Sequence, residues 1–227
     1  MSRFALPGAE FVDLAFSLAG GPLPRDHSLG LWHAIARELP WLEREDLAAI
    51  FPVRASALSD GVLAVGRHSR LMLRLPAERV RDALALCGTA LAIDGARLAI
   101  GRALTRPLIA HGTLYAQRVA SAADDEAAFE QEAAAGLAAL AVGGELVCGR
   151  RTAAAGPGGT LVGFSLMLAG LAPAESLRLL VAGLGPHRKL GFGAFLPHRS
   201  TAAVGSDRAA GEQRASADSD SHWMAAT

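Results

Sequence analysis

Between Gly183 and Phe195 the chain reads Gly-Leu-Gly-Pro-His-Arg-Lys-Leu-Gly-Phe-Gly-Ala-Phe, and no acidic residue lies between Glu175 and Asp207. Gly183, Gly185, Gly191 and Gly193 bracket His187, Arg188 and Lys189. Glycine takes positive φ at no steric cost and lets a ligand come close to the main chain. Successive amides in such a turn form an anion-binding concavity. With two cations and an imidazole at its centre, the loop points to a phosphate-bearing partner. A helix C-cap followed by ordinary turn glycines is the simpler account of Gly183 alone. Paired glycines around three consecutive basic or titratable residues favour the binding role.

Two familiar glycine motifs do not fit. A dinucleotide-binding fingerprint follows a strand and opens a helix, and a P-loop ends in Gly-Lys-Ser/Thr. Here a helix over 172–182 precedes the loop and a short strand over 191–197 follows it, the reverse order.

His27 is the second candidate. It falls at the first turn of the first helix, just after a proline-bounded linker. A helix N-terminus attracts phosphate and disfavours protonated imidazole, which leaves a neutral base. On spacing alone, a surface histidine near a cap remains the favoured account. His33 lies opposite the Leu31–Ile35–Leu39 stripe and is expected to face solvent. His68, beside the arginines, His111, beside Gly112, and His222 read as surface residues.

The elements that must position these groups alternate regularly. Residues 11–18 read as a buried strand. Asp26 or Ser28 caps a helix to about Leu39, limited by Pro40. Strands follow over 51–57, 62–65 and 69–75, then a helix from Pro76 to about Leu86. Asp94-Gly95 marks a hairpin turn between 91–93 and 96–100. That is β-α-β-β-α-β, the ferredoxin-like order. After a break near 104–107 the order repeats: a strand over 108–120, a helix over 124–140, strands over 145–152 and 160–168, the helix over 173–182 and the last strand. The chain therefore divides into an α+β domain over 1–104, a second over 105–198 and a polar tail over 199–227. The tail lacks the apolar residues to offset its ordering entropy and is expected to be disordered, without a catalytic role.

Composition narrows the class. Apolar residues make up 51% of the 227, ample for buried cores, and 22 basic residues balance 22 acidic ones. Nucleic-acid binders generally carry a basic excess, so an RNA site here must be a local patch. The densest is Arg67, Arg70, Arg74, Arg79 and Arg81; Arg150-Arg151 and Arg188-Lys189 are the others. Lys189 is the only lysine. Cys87 and Cys148 lack a metal-binding spacing and read as buried free thiols. No secretory pattern opens the chain and no apolar run approaches membrane-spanning length. A cytoplasmic protein without membrane contact is expected, with no cofactor and no metal.

The glycine loop and its basic centre resemble the C-terminal glycine-rich loop of the CRISPR-associated RAMP superfamily. More narrowly, the chain resembles the repeat-RNA processing endoribonucleases (the "Cas six" family, myxobacterial-type branch). The similarity runs from about Val12 to Pro197 and includes Leu23-Pro-Arg-Asp-His-Ser-Leu-Gly-Leu and the strand from Arg67 to Pro76. It implies two tandem ferredoxin-like domains. It also implies that His27 is the catalytic histidine of the Leu-Pro-x-Asp-His motif, reversing the reading from spacing alone.

The implied reaction is metal-independent cleavage of precursor CRISPR RNA within its repeats. A base takes the 2′-OH proton, the oxygen attacks the adjoining phosphate, and 2′,3′-cyclic phosphate and 5′-OH ends result. A cation must stabilise the phosphorane; Arg188, Lys189 or a first-domain arginine can supply it. His33 and His187 are alternatives for the acid or base, and the tyrosine often paired with the histidine has no counterpart beyond Tyr115, in the second domain. RNA contacts are expected from Arg67, Arg70, Arg74, Arg150, Arg151, Gly183, Gly185, His187, Arg188, Lys189, Gly191 and Gly193. Implied partners are precursor and mature repeat RNA and subunits of a type I effector complex. The competing readings are a RAMP subunit that holds RNA without cutting it, and an enzyme for a small phosphorylated substrate.

Overall fold

The structure, a computed structural model, describes residues 11–59 and 61–198; the expected tail lies outside them. The first half contains β1 (Phe11–Gly20), β2 (Leu23–Pro24), α1 (Ser28–Glu38), β3 (Ala49–Phe51), β4 (Ser56–Ser59), β5 (Val62–Ala64), β6 (Arg70–Pro76), α2 (Val80–Ala83), β7 (Ala90–Ile93) and β8 (Ala96–Pro107). The second contains β9 (Thr113–Ala120), α3 (Glu126–Ala139), β10 (Glu145–Gly156), β11 (Gly159–Ala169), α4 (Pro173–Ala182) and β12 (Leu196–Pro197).

Two antiparallel sheets run β3-β6-β1-β8-β7 and β10-β11-β9-β12, with a small β2-β5-β4 sheet beside the first. β1 lies between β6 and β8, and β9 between β11 and β12, the interior placement of each half's first strand that the ferredoxin-like order requires. Leu14, Phe16, Leu31, Ile35, Leu71 and Leu73 share one core with α1, and Leu114, Phe129, Leu166, Leu168, Leu179 and Phe195 share the other with α3 and α4.

Several expected boundaries move. Pro52, which has no N–H to give a ladder, separates β3 from β4 where one strand over 51–57 was expected. The helix over 76–86 is a chain of short turns, with α-helix confined to α2. β8 runs through the expected break at 104–107, because Val12 pairs with Pro107 and Leu14 with Thr105. Pro107 is tolerated at that strand end, where β7 no longer flanks β8. The strand over 191–197 shrinks to β12, and Arg188–Leu190 form a 3-10 turn. Cys148 is buried as expected, but Cys87 is exposed, at the end of a tight turn rather than on a core face.

Candidate active site

The glycine-rich loop folds on itself. The amides of Gly183, Leu184, Leu190, Gly191, Phe192 and Gly193 donate to the carbonyls of Leu179, Gly193, His187, Arg188, His187 and Arg118 respectively. Gly183, Gly191 and Gly193 are buried and all take positive φ. A Cβ on Gly193 would stand 2.0 Å from Leu184 O, and one on Gly191 2.5 Å from Pro52 Cδ. These three glycines are needed for loop closure and docking, which corrects the expectation that they admit a ligand to their amides. Gly185 is the exposed one.

Around the loop the two halves are fastened together. Arg118 of β9 donates from Nη2 to Ser28 Oγ at 2.8 Å and lies 4.9 Å from the Phe192 ring centroid. Asp26 Oδ2 accepts the Ala155 amide at 2.7 Å, tying the start of α1 to β10. Lys189 Nζ donates to Glu43 O at 2.7 Å and stands 5.5 Å from the Trp32 ring centroid. The loop and the start of α1 therefore share one seam.

His27 sits in that seam but not at its surface. It is 1% exposed. Its Nδ1 lies 2.8 Å from Pro24 O, and its Nε2 lies 2.9 Å from the Val53 amide. The amide must donate, so Nε2 accepts and Nδ1 carries the proton that bonds Pro24. Burial holds the imidazole below its ordinary pKa, the Pro24 bond opposes this, and the nearby Arg118 charge adds to it. Both ring nitrogens are thus bonded to backbone groups. The surface position expected from spacing alone is therefore corrected: His27 braces the β2 end to residue 53.

The expected RNA-binding cations separate into two groups. Arg74 is fully buried: Nε and Nη2 donate to the Asp13 carboxylate at 2.7 and 2.9 Å, while Nη1 donates to Leu180 O and Phe195 O, both at 2.9 Å. Arg188 is 7% exposed, with Nη1 donating to Val181 O at 2.7 Å. Burial, with the Arg74 charge adding, pulls its guanidinium down to about 10. Both are interior clamps, which corrects their assignment to RNA; a Cβ at the wrong strand register would have left Arg74 outside, but its partner Asp13 stands opposite it across β1 and β6.

Arg67, Arg70, Arg150 and Arg151 are exposed. Arg70 is four strand residues from the buried Arg74, about 13 Å of extended chain. Arg67 Nε donates to His68 Nε2 at 2.9 Å, and Arg151 pairs with Asp124 at 2.6 Å. His33 is exposed on the outer face of α1, and the α1 residue that meets Lys189 is its neighbour Trp32.

Two clefts open beside the loop. One, of about 640 Å³, lies between α3, the ends of β9 and β11, and Leu184–His187, with Asp124, Phe129 and Glu132 in its wall. The other, of about 310 Å³, is lined by Trp32, Asp46, Pro157 and residues 185–190. Gly185, Pro186 and His187 wall both. Lys189 lies in the smaller cleft, and burial lowers its pKa while Asp46, Glu43 and Glu45 oppose the shift.

Sequence reasoning missed Arg118, Ser28, Asp26 and Trp32. The signal for Arg118 was a lone cation between alternating apolar residues of a central strand, a place where a charge must find partners. The partners come from 90 residues away, which no local pattern announces.

Two ferredoxin-like halves meeting at a glycine-rich loop define a tandem ferredoxin-like protein. Among solved structures, the fold is similar to a CRISPR associated protein Cas6 (TM-score 0.60, 11% identity, 84% of this chain and 100% of that one). It is also similar to an RAMP protein binding different RNA substrates (TM-score 0.62, 11% identity, 83% and 100%). A family model described as Cas6 Crispr matches residues 12–200. The chain is 39% identical over 195 residues to the CRISPR-associated endonuclease Cas6 of Myxococcus xanthus (strain DK1622), covering 86% of this chain and 84% of that protein. The chain belongs to the Cas6 family.

Proposed function

We propose that this protein is an endoribonuclease that cuts precursor CRISPR RNA within its repeats by 2′-OH attack, without a metal ion. The observation that carries the reading is the 39% identity to an endonuclease of that family over most of both chains. The local chemistry agrees with it. Scission of this kind needs one group to move a proton and one cation to face the phosphorane. Lys189, in the smaller cleft and held by Glu43 O and Trp32, is the cation we assign. His27, His33 and His187 are the candidates for proton transfer; in the structure both ring nitrogens of His27 are bonded to backbone groups, and the rings of His33 and His187 are exposed. Arg67, Arg70, Arg150 and Arg151 are the exposed cations for the rest of the RNA. The reading extends to mature repeat RNA and effector-complex subunits as partners, in the cytoplasm; among the described residues no helix is long and apolar enough to cross a membrane.

The test is incubation of the protein with its cognate repeat RNA in EDTA, with the product ends analysed. Cleavage to 2′,3′-cyclic phosphate and 5′-OH ends is expected, and a strict Mg²⁺ requirement would overturn the mechanism. One observation favours a second reading: a catalytic-motif histidine with both nitrogens occupied suits a subunit that holds RNA uncut. Tight binding with no cleavage of any cognate repeat would establish that alternative.

A further inference from the structure

We propose that Arg118 of β9 is a positioning residue for His27, holding the first turn of α1 from the second half of the molecule. The assignment rests on the endoribonuclease reading above, with His27 as its base. Three consecutive residues at that turn are gripped from different places. Asp26 Oδ2 accepts the Ala155 amide of β10 at 2.7 Å. The His27 ring is held by Pro24 O and the Val53 amide. Ser28 Oγ, buried, accepts from Arg118 Nη2 at 2.8 Å. Asp and Ser usually cap a helix with their own side chains. Here α1 starts without a side-chain cap, and both oxygens go to the second half instead. The first half orients the imidazole; the two flanking side chains tie it to the half that carries the glycine-rich loop.

The backbone of β9 aims this arginine. Ala116 stands opposite Leu166 and Val119 opposite Phe164, so Gln117 and Arg118 together face Ser165. Such a bulge redirects a side chain and is common beside active sites. The Arg118 carbonyl accepts the Gly193 amide at 2.7 Å, which locks the bulge to the glycine-rich loop. Arg74 shows how a buried structural arginine is satisfied, with a carboxylate and two carbonyls. Arg118 is buried with one hydroxyl, the Phe192 ring and an Nε that has no partner among the described residues. That is a costly place for a cation that serves packing alone, and burial lowers its pKa while the Asp26 charge opposes the shift.

The charge has a use at His27. Burial lowers the imidazole pKa and the Pro24 bond opposes this; of the charged groups that act on the ring, Arg118 from β9 lowers it and the neighbouring Asp26 raises it. Only neutral imidazole can accept a 2′-OH proton, so the guanidinium keeps the base in its working form to lower pH while its bond to Ser28 fixes where the base stands.

The experiment follows single-turnover cleavage of the cognate repeat RNA in EDTA from about pH 5 to about pH 9, with RNA affinity and urea stability measured alongside. It compares wild type, His27→Gln, Arg118→Met, Arg118→Lys and Ser28→Ala. Arg118→Met and Ser28→Ala are expected to cleave up to about 10²-fold more slowly at wild-type affinity. In Arg118→Met the acid limb of the rate profile moves to higher pH, because the charge that lowered the His27 pKa is gone. In Arg118→Lys and Ser28→Ala, which keep a cation, the limb stays nearer wild type. The double variant is no slower than Arg118→Met alone, since both changes break one contact. An acid limb unmoved in Arg118→Met, or affinity lost in step with rate, would overturn the positioning role alone. Ser28→Ala removes only a hydroxyl and decides the matter if Arg118→Met does not fold: a wild-type rate there would overturn the role. His27→Gln cleaving as wild type would remove the base, and this assignment with it. A wild-type protein that binds the repeat and leaves it intact would overturn the endoribonuclease reading itself.

Discussion

The Nε2 of His27 accepts the backbone amide of Val53 at 2.9 Å, and through it the first helix is tied to the turn against which the glycine loop rests. Pro52, one residue earlier, is where Gly191 makes its close approach. Removing the imidazole leaves the Val53 amide and the Pro24 carbonyl without their partner. Each unsatisfied buried group costs about 1–3 kcal/mol. His27→Ala is therefore expected to lower stability by roughly 2–5 kcal/mol in urea denaturation. Any loss of cleavage in that variant must be read against the lost fold, and a stability equal to wild type would show that the brace carries nothing.

The burial of the same ring makes stability pH-dependent. Burial holds the folded-state pKa of His27 below the ordinary 6.5, so at mildly acid pH the folded protein binds fewer protons than the unfolded chain. The contribution is complete above pH 6.5 and is lost as pH falls through the lowered value. Denaturation midpoints measured from neutral down to about pH 5 should decline in wild type and decline less in His27→Gln. Parallel curves for the two proteins would remove His27 as the source.

Arg74 makes a prediction of a different kind, because its partners span both halves of the molecule. It joins Asp13 on β1 to the carbonyls of Leu180 and Phe195 in the second half. Truncation to Ala strands the partly buried Asp13 carboxylate, and breaking a buried pair this way costs about 3–5 kcal/mol. Arg74→Lys should recover little, since three donors on one nitrogen cannot reproduce the four bonds made from the spread, planar guanidinium. Equilibrium unfolding of both variants checks this. Full recovery by lysine would mean that charge, not the planar fork, holds the seam.

What the sequence made legible, and what it hid, divides along local and distant contacts. The ferredoxin-like repeat was readable because each strand and helix carries its own periodicity and turn residues. Asp94-Gly95 and the Pro40 stop lie where the pattern put them. The fate of Arg74 and Arg188 was not readable. An arginine inside a strand or loop looks the same in sequence whether it meets RNA or a carbonyl 106 residues away. His27 was hidden for the same reason: its second partner, Val53, is 26 residues distant and offers only a backbone amide.

The glycines separate architecture from contact. A Cβ on Gly193 meets Leu184 O at 2.0 Å, backbone that cannot turn aside, whereas on Gly185 the nearest atom is Ala120 O at 3.7 Å. Both residues have positive φ, so each alanine variant bears strain of about 1–2 kcal/mol. Gly193→Ala should add the clash, unfold at clearly lower denaturant and lose RNA affinity through a displaced loop. Gly185→Ala should carry only that strain, and a loss of affinity with the protein fully folded would report direct contact. Equal stability of the two variants would contradict the closed-loop geometry.

Lys189 offers the sharpest test of the chemistry. Its ammonium is half-buried beside Trp32 and bonded to Glu43 O, and burial lowers its pKa despite Asp46, Glu43 and Glu45. A cation whose folded pKa is lowered loses its proton at a pH below the ordinary 10.5 of lysine. If that charge stabilises the phosphorane, cleavage in EDTA falls on the alkaline side before pH 10.5 is reached. Lys189→Arg keeps the charge at higher pH and should move that fall upward, at some cost in rate because a planar fork replaces a point charge. Lys189→Ala should lose about 10²–10³-fold in single-turnover rate, the scale of removing one stabilising group from such a site. Lys189→Ala cleaving as wild type, or an alkaline limb that stays put in Lys189→Arg, would move the phosphorane-stabilising charge elsewhere in the cleft.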